Sequence, residues 1–102
     1  MAFFVVTYTH PDTKRWNEHV AAHVDWLAER LDDGSLKASG PFLQTPLKSA
    51  LLILTADSRQ AAIDLIATDP FMSEGLITDC TVTEWDPIFG TYNSDSSMPT
   101  AG

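Results

Sequence analysis

AFFVVTY, residues 2–8, and SALLILTA, residues 49–56, decide the fold. Both runs are built from aromatic, β-branched and leucine side chains, and both end on breakers, His10-Pro11 after the first and Asp57-Ser58 after the second. Proline lacks the N–H that would continue a ladder, so each run reads as a β-strand. Between them, Thr13 to about Asp33 carries Trp16, Val20, Val24, Leu27 and Leu31 at spacings of three and four, which places them on one face of a long helix. Asp12 is its expected N-cap and Gly34 its C′ residue. Leu36 to Ser39 forms a short strand before Gly40-Pro41 turns the chain, and residues 42–49 form a loop leading into the second run. Asp57-Ser58 then caps a helix from about Arg59 to Thr68, which Asp69-Pro70-Phe71 breaks. A short helical turn to Gly75 follows, and LITDCTVTEWD, 76–86, alternates enough to be the last strand. Residues 1–90 make one domain, and the Ser-, Thr- and Gly-rich segment 91–102 is expected to be a flexible tail.

The resulting order, strand-helix-strand-strand-helix-strand, is α+β of the ferredoxin-like βαββαβ kind: an antiparallel sheet with two helices on one face. An antiparallel sheet open to water should alternate, yet Phe3 to Val6 and Leu51 to Leu54 are apolar on both faces. At about 25 cal/mol per Å² of apolar surface removed from water, leaving such a face bare costs several kcal/mol. A homodimer packed sheet to sheet is therefore expected.

Composition excludes several classes of function. The chain has 102 residues, which limits it to one core. Apolar residues make up 44% and charged ones 20%, a globular rather than disordered balance. Six Lys and Arg against 14 Asp and Glu give a net charge of −8, so phosphate backbones and anionic lipid surfaces are repelled. Neither nucleic acid nor membrane is expected as a partner. Cys80 is the single cysteine and has no intramolecular disulfide partner. The opening MAFFVV has no basic residue before a short apolar run, unlike a secretory leader or a membrane span. The expectation is a soluble, cytoplasmic protein.

Three histidines stand out. His19 and His23 are four apart on the long helix, the HxxxH spacing seen in zinc sites, although no Glu follows His19 and no third ligand is forced. His23 also falls on the inward face, where a histidine is either a core residue satisfied by one hydrogen bond or a general base held by a carboxylate. Asp69 is the best carboxylate on composition, because Pro70 biases its backbone away from the helical region. Simple helix termination explains Asp69-Pro70 equally well from spacing alone.

HVDWLAERLDDGSLKASGP (23–41) and TDPFMSEGL (68–76), followed by Val82 and Trp85-Asp86-Pro87, resemble the YciI-like family over about residues 3–87. The resemblance implies a ferredoxin-like domain dimerised into an α/β barrel, related to the muconolactone-isomerase barrels. It further implies a His–Asp dyad in a pocket, falling on His23 and Asp69 with Pro70 orienting the pair. The implied chemistry is cofactor-free proton transfer that, where an activity is assigned, expels chloride from a chlorinated hydroxyquinol-type ring. Three positions depart from the active pattern. Val20 stands where an Arg is expected, His10 where an acidic residue is expected, and Ala50 where a serine is expected, with Ser49 beside it on the opposite face. Losing an Arg and its acidic partner together avoids leaving one buried charge unpaired. His10, alone or with Ser39, is then the polar group facing the substrate, and Tyr8, Phe42, Phe71 and Trp85 are the apolar wall. Trp16 and Trp26 read first as ordinary core residues; Trp26, three residues after His23, is alternatively at a dimer contact or the pocket rim.

These readings lead to a small cofactor-free isomerase or lyase acting on a small cyclic or aromatic-derived substrate. The alternative is a non-catalytic small-ligand-binding or accessory protein on the same scaffold. A metal protein using His19 and His23 is a third reading; the expected catalytic site contains no metal.

Overall fold

The computed structural model describes residues 2–96 of the chain. Its elements run β1 (Ala2–His10), α1 (Thr13–Asp32), β2 (Leu36–Pro41), β3 (Lys48–Ala56), α2 (Arg59–Ile66), α3 (Pro70–Ser73) and β4 (Thr78–Trp85), with a 3-10 turn at Asn93–Asp95. The strands form one antiparallel sheet in the order β2-β3-β1-β4. The two apolar runs are its central pair, in register from Ala2 opposite Ala56 to His10 opposite Lys48. This is the ferredoxin-like α+β arrangement expected from the order of elements. Among the described residues no helix is long and apolar enough to cross a membrane.

One sheet face carries Phe4, Val6, Tyr8, Leu52, Leu54 and Val82, which form the core with Trp26 of α1 and Ala62 and Ile66 of α2. Because side chains alternate along a strand, Val5, Leu51 and Ile53 lie on the other face, and there they are only half-buried. Phe3, also on that face, is covered by Trp85 and Tyr92, with ring centroids 6.1 and 5.8 Å away. The Tyr92 hydroxyl donates to the Lys37 carbonyl at 3.1 Å. The first part of the expected tail thus packs against the sheet, while 97–102 lie outside the described residues.

Both ends of α1 follow the capping residues in the sequence. Asp12 accepts from the Arg15 N–H at 3.1 Å, and Gly34 takes the positive φ of 86° that ends the helix cheaply. The inward stripe differs from the expected one. Val24 is 54% exposed and Leu31 63%, while His23 and Trp26 are buried. The helix is turned so that His23 and Trp26 define its inner face, with Trp16, Val20 and Leu27 half-buried along its edges. Polar partners across the interface make this rotation possible: Asp69 meets His23, and Thr68 Oγ1 accepts the Trp26 indole N–H at 2.8 Å. Trp26 is therefore a core residue and does not line the pocket rim.

Two local departures shape the ground around the site. β2 runs through Gly40-Pro41 instead of turning there, with Pro41 opposite Ala50. An edge strand tolerates this, since its outer side needs no N–H from proline. In β4 one extra residue is accommodated between Thr78 and Thr81, with Asp79 at φ 52°. This bulge lies across from Tyr8, where it locally bends the strand.

Candidate active site

A hollow of about 300 Å³ opens between α1, α3 and the β2–β3–β1 end of the sheet. Tyr8, His10, Trp16, His23 and Phe71 give it an aromatic lining, and Ser39, Lys48, Ser49 and Ala50 add the sheet side. That volume and that mostly apolar wall suit a single-ring small molecule.

α3 sets the dyad. Asp69 is its N-cap, with φ −64° and ψ 129°, and Pro70 occupies the first turn, where a missing N–H is harmless. The Asp69 side chain is 0% exposed. Its Oδ1 accepts the Phe71 backbone N–H at 3.0 Å and lies 2.9 Å from His23 Nδ1. A carboxylate oxygen accepts, so Nδ1 is the protonated nitrogen of the neutral imidazole and Nε2 keeps its lone pair. The imidazole stacks on Phe71, centroids 4.1 Å apart at 22°. Asp69 Oδ2 is the one buried side-chain polar atom without a partner among the described residues. An orphaned carboxylate oxygen beside an imidazole is a cost the fold alone does not require.

His10 is placed by the other end of α3. Gly75 adopts φ 69°, and the turn brings the Leu76 carbonyl to 3.2 Å from His10 Nδ1. A carbonyl only accepts, so Nδ1–H of His10 donates and Nε2 is an acceptor. Burial lowers the His10 pKa below 6.5; the Leu76 hydrogen bond and the Asp69 charge oppose this, and His23 and Lys48 reinforce it. At neutral pH His10 is an uncharged acceptor and not a cation. Among the described residues neither Nε2 has a hydrogen-bond partner, and both imidazoles line the hollow.

Tyr8 supplies a complementary group. Burial, and then the negative charge of Asp69, push its phenol far above the usual range, so the hydroxyl keeps its proton. Pro70 is in α3 outside the lining, whereas Ser39 and Phe71 lie in it. Phe42 and Trp85 do not. Phe42 follows the end of β2 at Pro41, lies outside the lining and is 42% exposed. Trp85 is at the far end of β4 against Phe3. Trp16, which the spacing sets on the inward helix face, and Lys48, which the sequence places in the loop 42–49, are the lining residues that sequence alone does not single out; Lys48 shares a face with Ala50, Leu52 and Leu54 because β3 begins one residue earlier than the sequence suggests. Among the described residues no three His, Cys, Asp or Glu side chains gather as a metal site requires, and His19 stays apart from the hollow.

The model of the YCII-related domain matches residues 1–86. The chain belongs to the YCII-related domain family. No curated protein matches it. Among solved structures, this YCII-related domain is similar to the 5-chloro-2-hydroxyhydroquinone dehydrochlorinase TftG of Burkholderia phenoliruptrix, determined with 2,5-dihydroxybenzoquinone bound. The TM-score is 0.71 at 22% identity, over 82% of this chain and 93% of that one. At that identity the likeness establishes a shared fold.

Proposed function

We propose that this YCII-related domain is a cofactor-independent proton-transfer enzyme of the isomerase or lyase kind, acting on a small cyclic or aromatic-derived molecule. The observation that carries the reading is the 2.9 Å contact between His23 and a fully buried Asp69 at the wall of an aromatic-lined hollow. His23 Nε2 takes a proton from the substrate as general base and returns it as general acid. Asp69 holds the tautomer and stabilises the imidazolium, and Pro70 stiffens the turn that carries it. The Tyr8 hydroxyl or Ser39 donates to the oxygen on which charge develops; His10, whose only proton goes to Leu76, serves as an acceptor for a substrate hydroxyl. The bound ring named for the dehydrochlorinase of like fold is of the size class that such a hollow admits, and loss of chloride is one form the chemistry takes here. A second copy of the chain covers the open sheet face, and the single cysteine fits a cytoplasmic setting.

His23→Ala is the direct test. Turnover of a true substrate falls by at least about 10²-fold if His23 is the base; an unchanged rate removes the dyad from the chemistry. One observation favours a second reading, a non-catalytic binder. Ala50 lines the hollow without the hydroxyl that the active family pattern has there. Ligand binding with no turnover, at an affinity that survives His23→Ala, decides for that reading.

A further inference from the structure

Lys48 is the one ammonium or guanidinium lining the hollow among the described residues. Its Nζ sits 4.2 Å from the Trp16 ring centroid, and no carboxylate lies within ion-pair distance of it among the described residues. The cation is therefore held by an aromatic face and not neutralised, although acidic residues outnumber basic ones 14 to 6 in the chain. It stands directly opposite His10 in the β1–β3 register, on the same sheet face, where facing Cβ atoms are about 5 Å apart.

We propose that Lys48 determines substrate specificity by selecting ring compounds that carry a carboxylate. The proposal rests on the reading of the hollow as a substrate site and names the class of substrate. The polar groups around the hollow form a pattern. Lys48 and the Tyr8 hydroxyl donate, while Nε2 of His10 and Nε2 of His23 accept. A ligand matching all of them has an anionic acceptor at the Lys48 end and at least one hydroxyl for an imidazole, with a planar ring between aromatic walls. A hydroxylated aromatic or cyclic acid has these features. Without Lys48 the net negative charge of the chain disfavours such an anion, so one unpaired ammonium at the mouth decides which ligands enter.

The test uses the full chain and two probes of nearly equal shape, 4-hydroxybenzoate and the uncharged 4-hydroxybenzamide, titrated calorimetrically. The wild-type protein is expected to prefer the anion by about 10-fold or more. Lys48→Met keeps the apolar stem and is expected to abolish the preference by weakening only the anion, while Lys48→Arg keeps it. Added salt narrows the preference in the wild type. His23→Ala is expected to weaken both probes alike, so the cation and the base are judged separately. A preference that survives Lys48→Met, no preference in the wild type, or no binding of either probe overturns the proposal, whatever turnover reveals about His23.

Discussion

Asp69 Oδ1 lies 2.9 Å from His23 Nδ1 and takes the Phe71 N–H at 3.0 Å, while Oδ2 of the same carboxyl takes nothing among the described residues. The imidazole and the α3 turn thus compete for one oxygen, and this fixes both the ring plane and the tautomer.

Asp69→Asn separates geometry from proton affinity. The amide oxygen still accepts from the Phe71 N–H, so α3 keeps its cap. The same oxygen goes on accepting from His23 Nδ1–H, and the amide nitrogen takes the place of Oδ2, so the tautomer is kept while the negative charge that stabilises the imidazolium is lost. Turnover is expected to fall at least about 10²-fold with KM changed little, and nitrogen NMR of the His23 ring is expected to report the wild-type tautomer. An unchanged tautomer with undiminished turnover contradicts the proposed role of Asp69.

His10 predicts the acid side of the stability profile. Its folded-state pKa lies below its unfolded value of 6.5, chiefly because burial penalises the cation. Between those two values the unfolded chain binds more protons, so stability rises with pH. The contribution is fully present above pH 6.5 and is lost as pH falls through the folded pKa. Thermal unfolding followed by circular dichroism is expected to show Tm falling below pH 6.5, before the carboxylates titrate near pH 4. In His10→Phe, which keeps a ring beside Phe71 but cannot titrate, that early slope should flatten; an unchanged slope assigns it to another group.

The central strands and both helix caps were legible because each rests on local rules: apolar runs bounded by breakers, and Asp12, Gly34 and Ser58 at their caps. His23 and Asp69 were legible only through motif resemblance, since nothing local says that residues 46 positions apart share a hydrogen bond. The orientation of α1 is legible in part: the spacing puts His23 on the inward face, where it lies, but hydropathy puts Val24 and Leu31 there too, and the partners Asp69 and Thr68 that favour burying His23 and Trp26 are not local in sequence. Lys48 stayed hidden because a lysine in an assumed loop carries no signal; the strand register supplies it.

That rotation of α1 is measurable. Trp26→Ala removes a buried ring and leaves a cavity, so a loss of about 3–5 kcal/mol is expected in denaturant unfolding. Trp26→Phe loses chiefly the bond to Thr68 and should cost about 1–2 kcal/mol. Leu31→Gln, on the exposed side, should stay within about 0.5 kcal/mol of wild type. A large loss at Leu31 with little at Trp26 restores the stripe expected from hydropathy.

The open sheet face supplies the last test. Leu51, Ile53 and Val5 are half-buried on a face that carries no helix, whereas Thr7, Thr9, Thr81 and Thr83 on the β1–β4 side are polar at their tips. The apolar part is thus concentrated toward β3, and a partner sheet laid over it removes it from water at about 25 cal/mol per Å². Ile53→Glu places a charge in the middle of that patch without touching the core face formed by Leu52 and Leu54. Sedimentation of the wild type at micromolar concentration is expected to give a dimer, and Ile53→Glu a folded monomer with native-like circular dichroism. A wild type that sediments as a monomer removes the sheet-to-sheet dimer, and a dimeric Ile53→Glu moves the interface elsewhere.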